Sequence, residues 1–323
     1  MKRKCFAGMA NESTRVLDKC RLLFILIALF LATRAIVTFA AEESGPIGVI
    51  YPEVDEPYLG IFLQMIDGIK EGTRGEVVTY RLTGGADANA LNAWAHDRSL
   101  KRIILLGRQS IKVARLFDPS IRVVAGGALI TPAADMPTLG AVSLAPDPEL
   151  LFKTLKRSAP SVERVIVIYS PTQNRWLMEL ARESAKRQGL ELITHEVKDL
   201  RAAVLEYQDV LAKMQSKRDA LWLPLDANTL NEELVLPLIL KEAWEKSLLV
   251  FSCNISHAKK GVLFSLYPDN QGWGRELARL AYSAKPPGVS PLKALRSAIN
   301  LRTASHLGLT VDQTQFNTMF PEP

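Results

Sequence analysis

The stretches Ile47-Gly48-Val49-Ile50-Tyr51 and Val165-Ile166-Val167-Ile168-Tyr169 decide the fold. Each is a short aliphatic run that leads into small polar residues and then into an amphipathic segment. Runs of this kind are typical of parallel strands that are covered on both faces. Because strand and helix alternate in two rounds, the sequence predicts an α/β protein with two Rossmann-like lobes, mostly parallel sheets and a cleft between the lobes.

The same pattern gives the individual elements. In the first round the predicted strands are Ile47–Tyr51, Val77–Leu82, Arg102–Leu106 and Ile121–Ala125. The predicted helices between them are Tyr58–Thr73, Asp87–Asp97 and Gln109–Phe117. In the second round the predicted strands are Val165–Tyr169, Leu190–Val197, Ala220–Leu225 and Leu248–Ser252. The helices that accompany them are Arg175–Gln188, Leu200–Met214 and Asn231–Ser247. The remaining predictions are a strand at Gly261–Tyr267, a helix at Gly272–Ala284 and a last strand around Ala298–Leu301.

These elements divide the chain into four parts. Residues 41–142 are expected to form the N-terminal lobe and residues 143–260 the C-terminal lobe, with the crossing at Leu139–Ser143 among several prolines. Residues 261–323 are expected to cross back between the lobes and to form the C-terminal tail. The first part, residues 1–40, reads as a secretory signal peptide.

The leader has the three regions of such a peptide. Basic residues come first, then the apolar run Leu22–Ala32 of 11 residues, which is shorter than the roughly 20 that span a bilayer. Thr38-Phe39-Ala40 then offers small residues at −3 and −1, which predicts cleavage after Ala40 and a periplasmic protein. The alternative is an uncleaved membrane anchor that covers Leu22–Ala41.

The leader also accounts for most of the charge. Residues 1–40 hold 7 of the 40 Lys and Arg and 2 of the 34 Asp and Glu, so the remainder has 33 against 32 and a net charge of +1. Nucleic acid is therefore not expected as a partner. Cys253 is the single cysteine after the leader, which excludes an internal disulfide and is typical of a small core residue.

Polar residues that follow the predicted strands are the candidate site, because ligands of open α/β sheets bind outside the carboxyl ends of the strands. The candidate ligand-binding residues are Tyr51, Tyr58, Gln109, Ser110, Thr172, Asn174, Asp226, Asn228, Thr229 and Asn254. Asp226 follows an apolar run, where a carboxylate needs a partner, and a ligand ammonium, a helix cap or a nearby Arg would each serve. Gln109-Ser110 and Asn228-Thr229 stand where helix caps are also wanted, so capping and ligand contact both remain open.

The sequence contains none of the common catalytic, metal or phosphate motifs. Neither GxGxxG nor GxxxxGK[ST] occurs, no HExxH or GxSxG is present, and the four His are scattered. The sequence therefore predicts no cofactor, no metal site and no catalytic residues, and it disfavours an exported hydrolase.

Four segments carry a resemblance to a known family, across roughly residues 45–312. They are Ile168–Asn174, Leu223–Thr229 with Asp-Asn-Thr, Gly261–Gly274, and Ala298–Ala304 with the following Leu307–Leu309. These resemble the ABC-transporter solute-binding proteins with periplasmic type I lobes, in the branch that includes aromatic amino-acid uptake components. The chain departs from that pattern at Gly107-Arg108-Gln109-Ser110 and at Ile130–Met136.

The resemblance implies a monomeric periplasmic protein that closes two lobes on a small polar molecule and delivers it to an ABC permease in the inner membrane. An amino acid is the specific hypothesis, with Asp226 on its ammonium, hydroxyls, amides and helix N-termini on its carboxylate, and Tyr51 or Tyr58 over its side chain. The alternative is a periplasmic sensing module of the same fold, which signals to a membrane-bound partner.

Overall fold

The computed structural model describes residues 45–73, 75–84, 87–132, 139–283 and 288–321. The predicted leader, Gly85, Ala284 and the segment 133–138 lie outside the described residues. Within the described ranges, no helix is both long enough and apolar enough to cross a membrane.

The first sheet has six strands, all parallel, in the order β11-β5-β4-β3-β1-β2. Its strands are β1 (Ile47–Pro52), β2 (Val77–Leu82), β3 (Arg102–Leu106), β4 (Arg122–Gly126), β5 (Gly140–Pro146) and β11 (Val289–Leu292). β1 and β3 are almost fully buried, as their aliphatic sequences predict.

The second sheet has seven strands in the order β13-β12-β10-β9-β8-β6-β7. Its strands are β6 (Arg164–Tyr169), β7 (Glu191–Glu196), β8 (Asp219–Leu223), β9 (Leu249–Ser252), β10 (Phe264–Pro268), β12 (Leu295–Asn300) and β13 (Thr318–Phe320). β12 pairs antiparallel with β10, so β12 and β13 run against the other strands. The family-like segment at residues 298–304 therefore ends at the sheet edge opposite the carboxyl ends of β6, β8 and β9.

Helices cover both sheets, as right-handed crossovers require. The helices around the first sheet are α1 (Tyr58–Gly72), α2 (Ala88–Asp97), the short α3 (Gly107–Ile111) and α9 (Asn270–Tyr282). Those around the second sheet are α4 (Pro148–Ser158), α5 (Pro171–Arg187), α6 (Leu200–Lys213), α7 (Val235–Glu245), α8 (Ile255–Lys260) and α10 (Leu301–His306). The result is the two-lobed α/β fold with mainly parallel sheets that the sequence predicts.

Two predicted helices are shorter in the structure, whereas the one predicted at Arg175–Gln188 begins earlier, at Pro171. The predicted helix Gln109–Phe117 is the short α3 followed by a separate 3-10 turn at Ala114–Leu116, because the backbone bonds from Lys112 onward span three residues instead of four. The predicted helix from Asn231 begins at Val235, because the Asn231 side chain accepts from the backbone N–H groups of Glu233 and Leu234 and holds a turn.

The segment expected at the crossing, Leu139–Ser143, contributes instead to β5, which pairs with β4 and β11 of the first sheet. The chain leaves this sheet at Asp147, whose side chain caps α4. It returns between β10 and α9, and passes over again between β11 and β12. Backbone hydrogen bonds link these three crossings, from Asp147 N to Leu292 O at 2.9 Å and from Asp269 N to Ala294 O at 3.0 Å.

α9 follows a strand of the second sheet but packs on the first, directly against α1. Gly68 of α1 faces the backbone of Gln271, and Gly274 of α9 faces the backbone of Met65. A Cβ atom at either glycine would overlap a backbone carbonyl oxygen, so the two helices approach as closely as their backbones allow. This contact fixes the returning segment of the chain on the first lobe.

We expect the substitution Gly274→Ala to lower the free energy of unfolding by about 1–3 kcal/mol, because the added methyl group has no space without separating the helices. Urea denaturation measures this change. Gly288→Ala is the matched control, since a Cβ there meets no atom within 4 Å. Equal stability of both variants would show that the helix contact is not tight.

Candidate ligand-binding cleft

A cavity of about 500 Å³ lies where loops after strands of both sheets meet. From the first lobe it is lined by Arg108, Leu129, Thr131 and Leu144. The polar side chains from the second lobe are Thr172, Gln173, Asp226, Glu232, Asn254 and His257. The remaining lining, Pro224, Leu225, Ala227 and Leu230, comes from the segment after β8. The cavity is thus at the place where open α/β sheets bind ligands.

Asp226 holds the loops after β6 and β8 together. Its Oδ2 accepts from the backbone N–H of Ser170 at 2.7 Å and from Nδ2 of Asn174 at 3.0 Å. Its Oδ1 accepts from the backbone N–H of Asn228 at 3.0 Å. One carboxylate therefore satisfies donors from two separate strand ends, and this fixes the wall of the cavity.

All of these donors are neutral, although Asp226 is only 5% exposed. Burial raises the pKa of the Asp226 carboxyl above its ordinary value, and the hydrogen bonds from Ser170 and Asn174 oppose that rise. Within the described residues no Lys, Arg or His forms an ion pair with this carboxylate. A further backbone N–H, that of Thr229, also stabilises the ionised carboxyl, so four neutral protein groups surround it and none of them carries a positive charge.

The second carboxylate of the cavity, Glu232, is compensated by the protein. Lys260 donates to it at 2.6 Å, Asn254 Nδ2 donates at 2.8 Å, and Ser256 donates at 3.2 Å. The Lys260 ammonium is the main cause of a lowered pKa of the Glu232 carboxyl. Glu232 therefore adds little uncompensated charge to the cavity.

His257 sits between Ser252 and Glu232. Its Nδ1 lies 2.7 Å from Ser252 Oγ, and its Nε2 lies 3.5 Å from Glu232 Oε1. The set contains the residue types of a nucleophile–base–acid triad, but Ser252 is 1% exposed and its Oγ accepts from the Asn254 backbone N–H. That hydroxyl is buried and hydrogen-bonded to both His257 and the Asn254 backbone, so these contacts join α8 to β9.

Arg108 is the cation that the first lobe contributes. Its side chain is exposed at the start of α3, and it forms no ion pair with any residue that the structure describes. The cavity therefore pairs one uncompensated cation on the first lobe with one uncompensated anion, Asp226, on the second. Four leucines complete it with apolar surface.

The sequence-predicted site residues fall into three groups. Thr172, Asp226 and Asn254 line the cavity. Asn174, Asn228 and Thr229 lie beside Asp226 and hydrogen-bond to it or to its loop. The other four, Tyr51, Tyr58, Gln109 and Ser110, are not among the lining residues.

The two tyrosines lie apart from the cavity for different reasons. Tyr51 is 8% exposed in the core of the first lobe, and its hydroxyl lies beside the Arg81 guanidinium, whose pKa it raises. Tyr58 is 64% exposed at the first residue of α1. Ser110 is buried and Gln109 is exposed on α3.

Sequence reasoning missed several lining residues, above all Arg108, Gln173, Glu232 and His257. Arg108 directly precedes Gln109, which was selected, so its position after β3 could have identified it as a candidate site residue. Glu232 has the pattern of a solvated surface residue, and only the fold brings Lys260 and Asn254 to it.

The fold and the cleft define a two-lobed binding protein of the periplasmic type I class. The sequence model of the family described as "ABC transporter substrate binding protein" matches residues 141–316, more than half of the chain. The protein belongs to this family. Its members are substrate-binding proteins, and the family and fold together support a solute-binding function.

Solved structures share this fold at low sequence identity. A substrate binding protein with adhesive properties from Clostridium difficile, in a ligand-free open form, is 13% identical, with a TM-score of 0.58, covering 86% of this chain and 100% of its own. An ABC domain in complex with L-Trp from Streptococcus pneumonia is 16% identical, with a TM-score of 0.50 and the same coverages. A conserved domain protein from Vibrio cholerae is 18% identical, with a TM-score of 0.51, covering 85% and 99%. A search of curated proteins returned no match.

We expect Asp226→Asn to lower the free energy of unfolding by about 1–3 kcal/mol. Both carboxylate oxygens accept hydrogen bonds from N–H groups. In the variant an NH₂ group replaces one of these oxygens and faces an N–H donor, so that hydrogen bond is lost. Urea denaturation near neutral pH measures the change. Asp209→Asn is the control, since it removes an exposed ion pair with Lys213, which is worth about 0–1 kcal/mol. If the two variants were equally stable, the bridging role of Asp226 would be wrong.

We expect His257 to make the folded state less stable in acid. Burial lowers the pKa of His257, more than the nearby Glu232 raises it, so the unfolded chain takes up this proton first as the pH falls below about 6.5. The stability is complete above that pH and is lost as the pH falls toward the lowered pKa of the folded state. His257→Gln should remove this part of the pH dependence.

Urea denaturation of both proteins between about pH 8 and about pH 5 tests the expectation. The stability difference between the wild-type protein and His257→Gln should shrink toward acid pH. His96→Gln makes the same chemical change at an exposed histidine and serves as the control. A difference that stays constant, or that grows toward acid pH, would contradict the assignment.

Proposed function

We propose that the protein is the periplasmic solute-binding component of an ABC uptake transporter, and that its ligand is a zwitterion of the amino-acid type. One observation carries the ligand class: the cavity has an uncompensated cation, Arg108, on one lobe and an uncompensated buried anion, Asp226, on the other. A ligand with an ammonium and a carboxylate neutralises both charges at once.

In this proposal Asp226 binds the ligand ammonium. The ammonium offsets the unfavourable burial of an ion that is surrounded by neutral donors only, and its attraction to the carboxylate is stronger than that of a neutral donor. Glu232 is a weaker candidate for this role, because Lys260 already neutralises it.

Arg108 binds the ligand carboxylate from the first lobe. A guanidinium presents a planar fork of donors that matches a carboxylate. Thr172 at the start of α5 and Asn254 before α8 add a hydroxyl and an amide from the second lobe. Because Arg108 binds the ligand from the first lobe while Asp226, Thr172 and Asn254 bind it from the second, the ligand itself joins the lobes, which favours closure around it.

The ligand side chain meets aliphatic surface. Leu129 and Leu144 of the first lobe and Leu225 and Leu230 of the second line the cavity, whereas neither Tyr51 nor Tyr58 does. A volume of about 500 Å³ is within the range of small-molecule sites. These features support an amino acid with an apolar side chain, without aromatic stacking from the two tyrosines.

The transport role rests on the family and on the predicted leader. The family's description links its members to ABC transporters. A signal peptide at residues 1–40 would export the chain to the compartment where an inner-membrane permease receives its ligand. Genes for a permease and an ATPase beside this gene would support uptake. A neighbouring histidine kinase or cyclase gene would instead favour the sensing alternative.

A thermal-shift screen against amino acids tests the ligand. A compound that binds only the folded state at about 100 times its Kd stabilises it by about 2.7 kcal/mol. We expect a selective upward shift of Tm, absent for analogues that lack the ammonium or the carboxylate. A flat response to every amino acid would contradict the proposed ligand class.

We further expect Arg108→Gln to weaken that ligand's affinity by about tenfold or more, because the variant loses a charge-assisted pair. The substitution should leave the fold intact, since Arg108 is exposed and forms no ion pair with described residues. Arg201→Gln, at another exposed arginine, is the matched control. Isothermal titration calorimetry measures both, and unchanged affinity in Arg108→Gln would remove Arg108 from the site.

A further inference from the structure

A second cavity lies at the opposite edge of the second sheet from the cleft. It has a volume of about 860 Å³ and is bounded by residues at the ends of β12 and β13 and by Gly261, which precedes β10. β12 runs antiparallel to β10, so the end of β12 is at the edge where the parallel strands begin. This cavity therefore shares no lining residue with the cleft.

The charged side chains that line this second cavity are all cations. Lys241, Lys259, Lys260 and Arg302 line it, and no Asp or Glu does so among the described residues. Lys260 is neutralised by Glu232 at 2.6 Å, whereas the other three cations form no ion pair with described residues. Three positive charges that converge on one concave surface create a field that attracts an anion.

Contacts within the protein hold Arg302 and the backbone around the cavity in place. Arg302 lies over the indole ring of Trp244, at 5.2 Å from its centroid, and His306 stacks on that indole at 3.8 Å. Asn300 Nδ2 donates to the Ala258 carbonyl and Thr303 Oγ1 donates to the Gly261 carbonyl, each at 2.9 Å. The floor and the arginine are thus held in place before any ligand arrives.

We propose that this cavity binds a phosphate-bearing anion. Three uncompensated cations match a phosphate dianion better than they match a single carboxylate, and an arginine fork suits phosphate oxygens. The volume is larger than that of the cleft and exceeds the size of the phosphate group, so it leaves room for an attached organic group. A soluble phosphate ester and a phospholipid headgroup share this chemistry.

The test uses Lys241 and Lys259 and leaves Lys260 unchanged, because Lys260 also holds Glu232 of the cleft. The probes are pyrophosphate, measured by calorimetry at fixed ionic strength, and vesicles that contain phosphatidylglycerol, measured by co-sedimentation against phosphatidylcholine vesicles. The protein is produced from the full-length sequence. The double variant Lys241→Gln/Lys259→Gln is compared with the control Lys153→Gln/Lys186→Gln, which removes two exposed lysines from other helices of the same lobe.

We expect the first double variant to weaken binding of the probe by about tenfold or more, and the control to leave it unchanged. Binding of pyrophosphate would indicate that the ligand is a soluble phosphate compound. Binding of phosphatidylglycerol vesicles alone would indicate that the ligand is a phospholipid headgroup. The proposal is overturned if the wild-type protein binds neither probe, if both double variants lose binding equally, or if Arg108→Gln abolishes binding. Thermal unfolding of each variant verifies that it is folded.

Discussion

The bridge that Asp226 makes between the loops after β6 and β8 is the constraint on which the cleft depends. Parallel strands end at the same edge, but nothing in a sheet alone fixes the loops beyond it. A buried carboxylate that accepts from Ser170, Asn174 and Asn228 supplies that constraint. Because all its donors are neutral, the same group that orders the loops leaves a negative charge at the cavity wall. One side chain thus orders the two loops and, in the proposed function, also recognises the ligand.

The two lobes are connected by three crossings of the chain. Three crossings lie side by side and are linked by backbone hydrogen bonds at Asp147 and Asp269. α9 then fixes the returning chain on α1 through glycine contacts at Gly68 and Gly274. Three hydrogen-bonded crossings and one close helix contact therefore join the two lobes.

Most of the fold could be predicted, because buried parallel strands have a strong sequence signature. The strands that begin at Ile47, Val77 and Arg102 start where their aliphatic runs predict. The prediction failed where local chemistry or partners decide the outcome. The Asn231 side chain accepts from the backbone N–H groups of Glu233 and Leu234, so the helix begins at Val235. The run at Gly140 is a sheet strand instead of a crossing because β4 and β11 pair with it.

The sequence by itself determined the fold class, the edge of each sheet that carries the candidate site, and the choice of Asp226 as a carboxylate that needs a partner. Only the tertiary structure decided which polar residues face the cavity. Tyr51 lies at a strand end yet is buried in the core, whereas Arg108 faces the cleft and Glu232 is compensated by Lys260. The physical reason is that periodicity reports which face of an element is buried, while the position and partners of a loop side chain depend on residues far away in the chain.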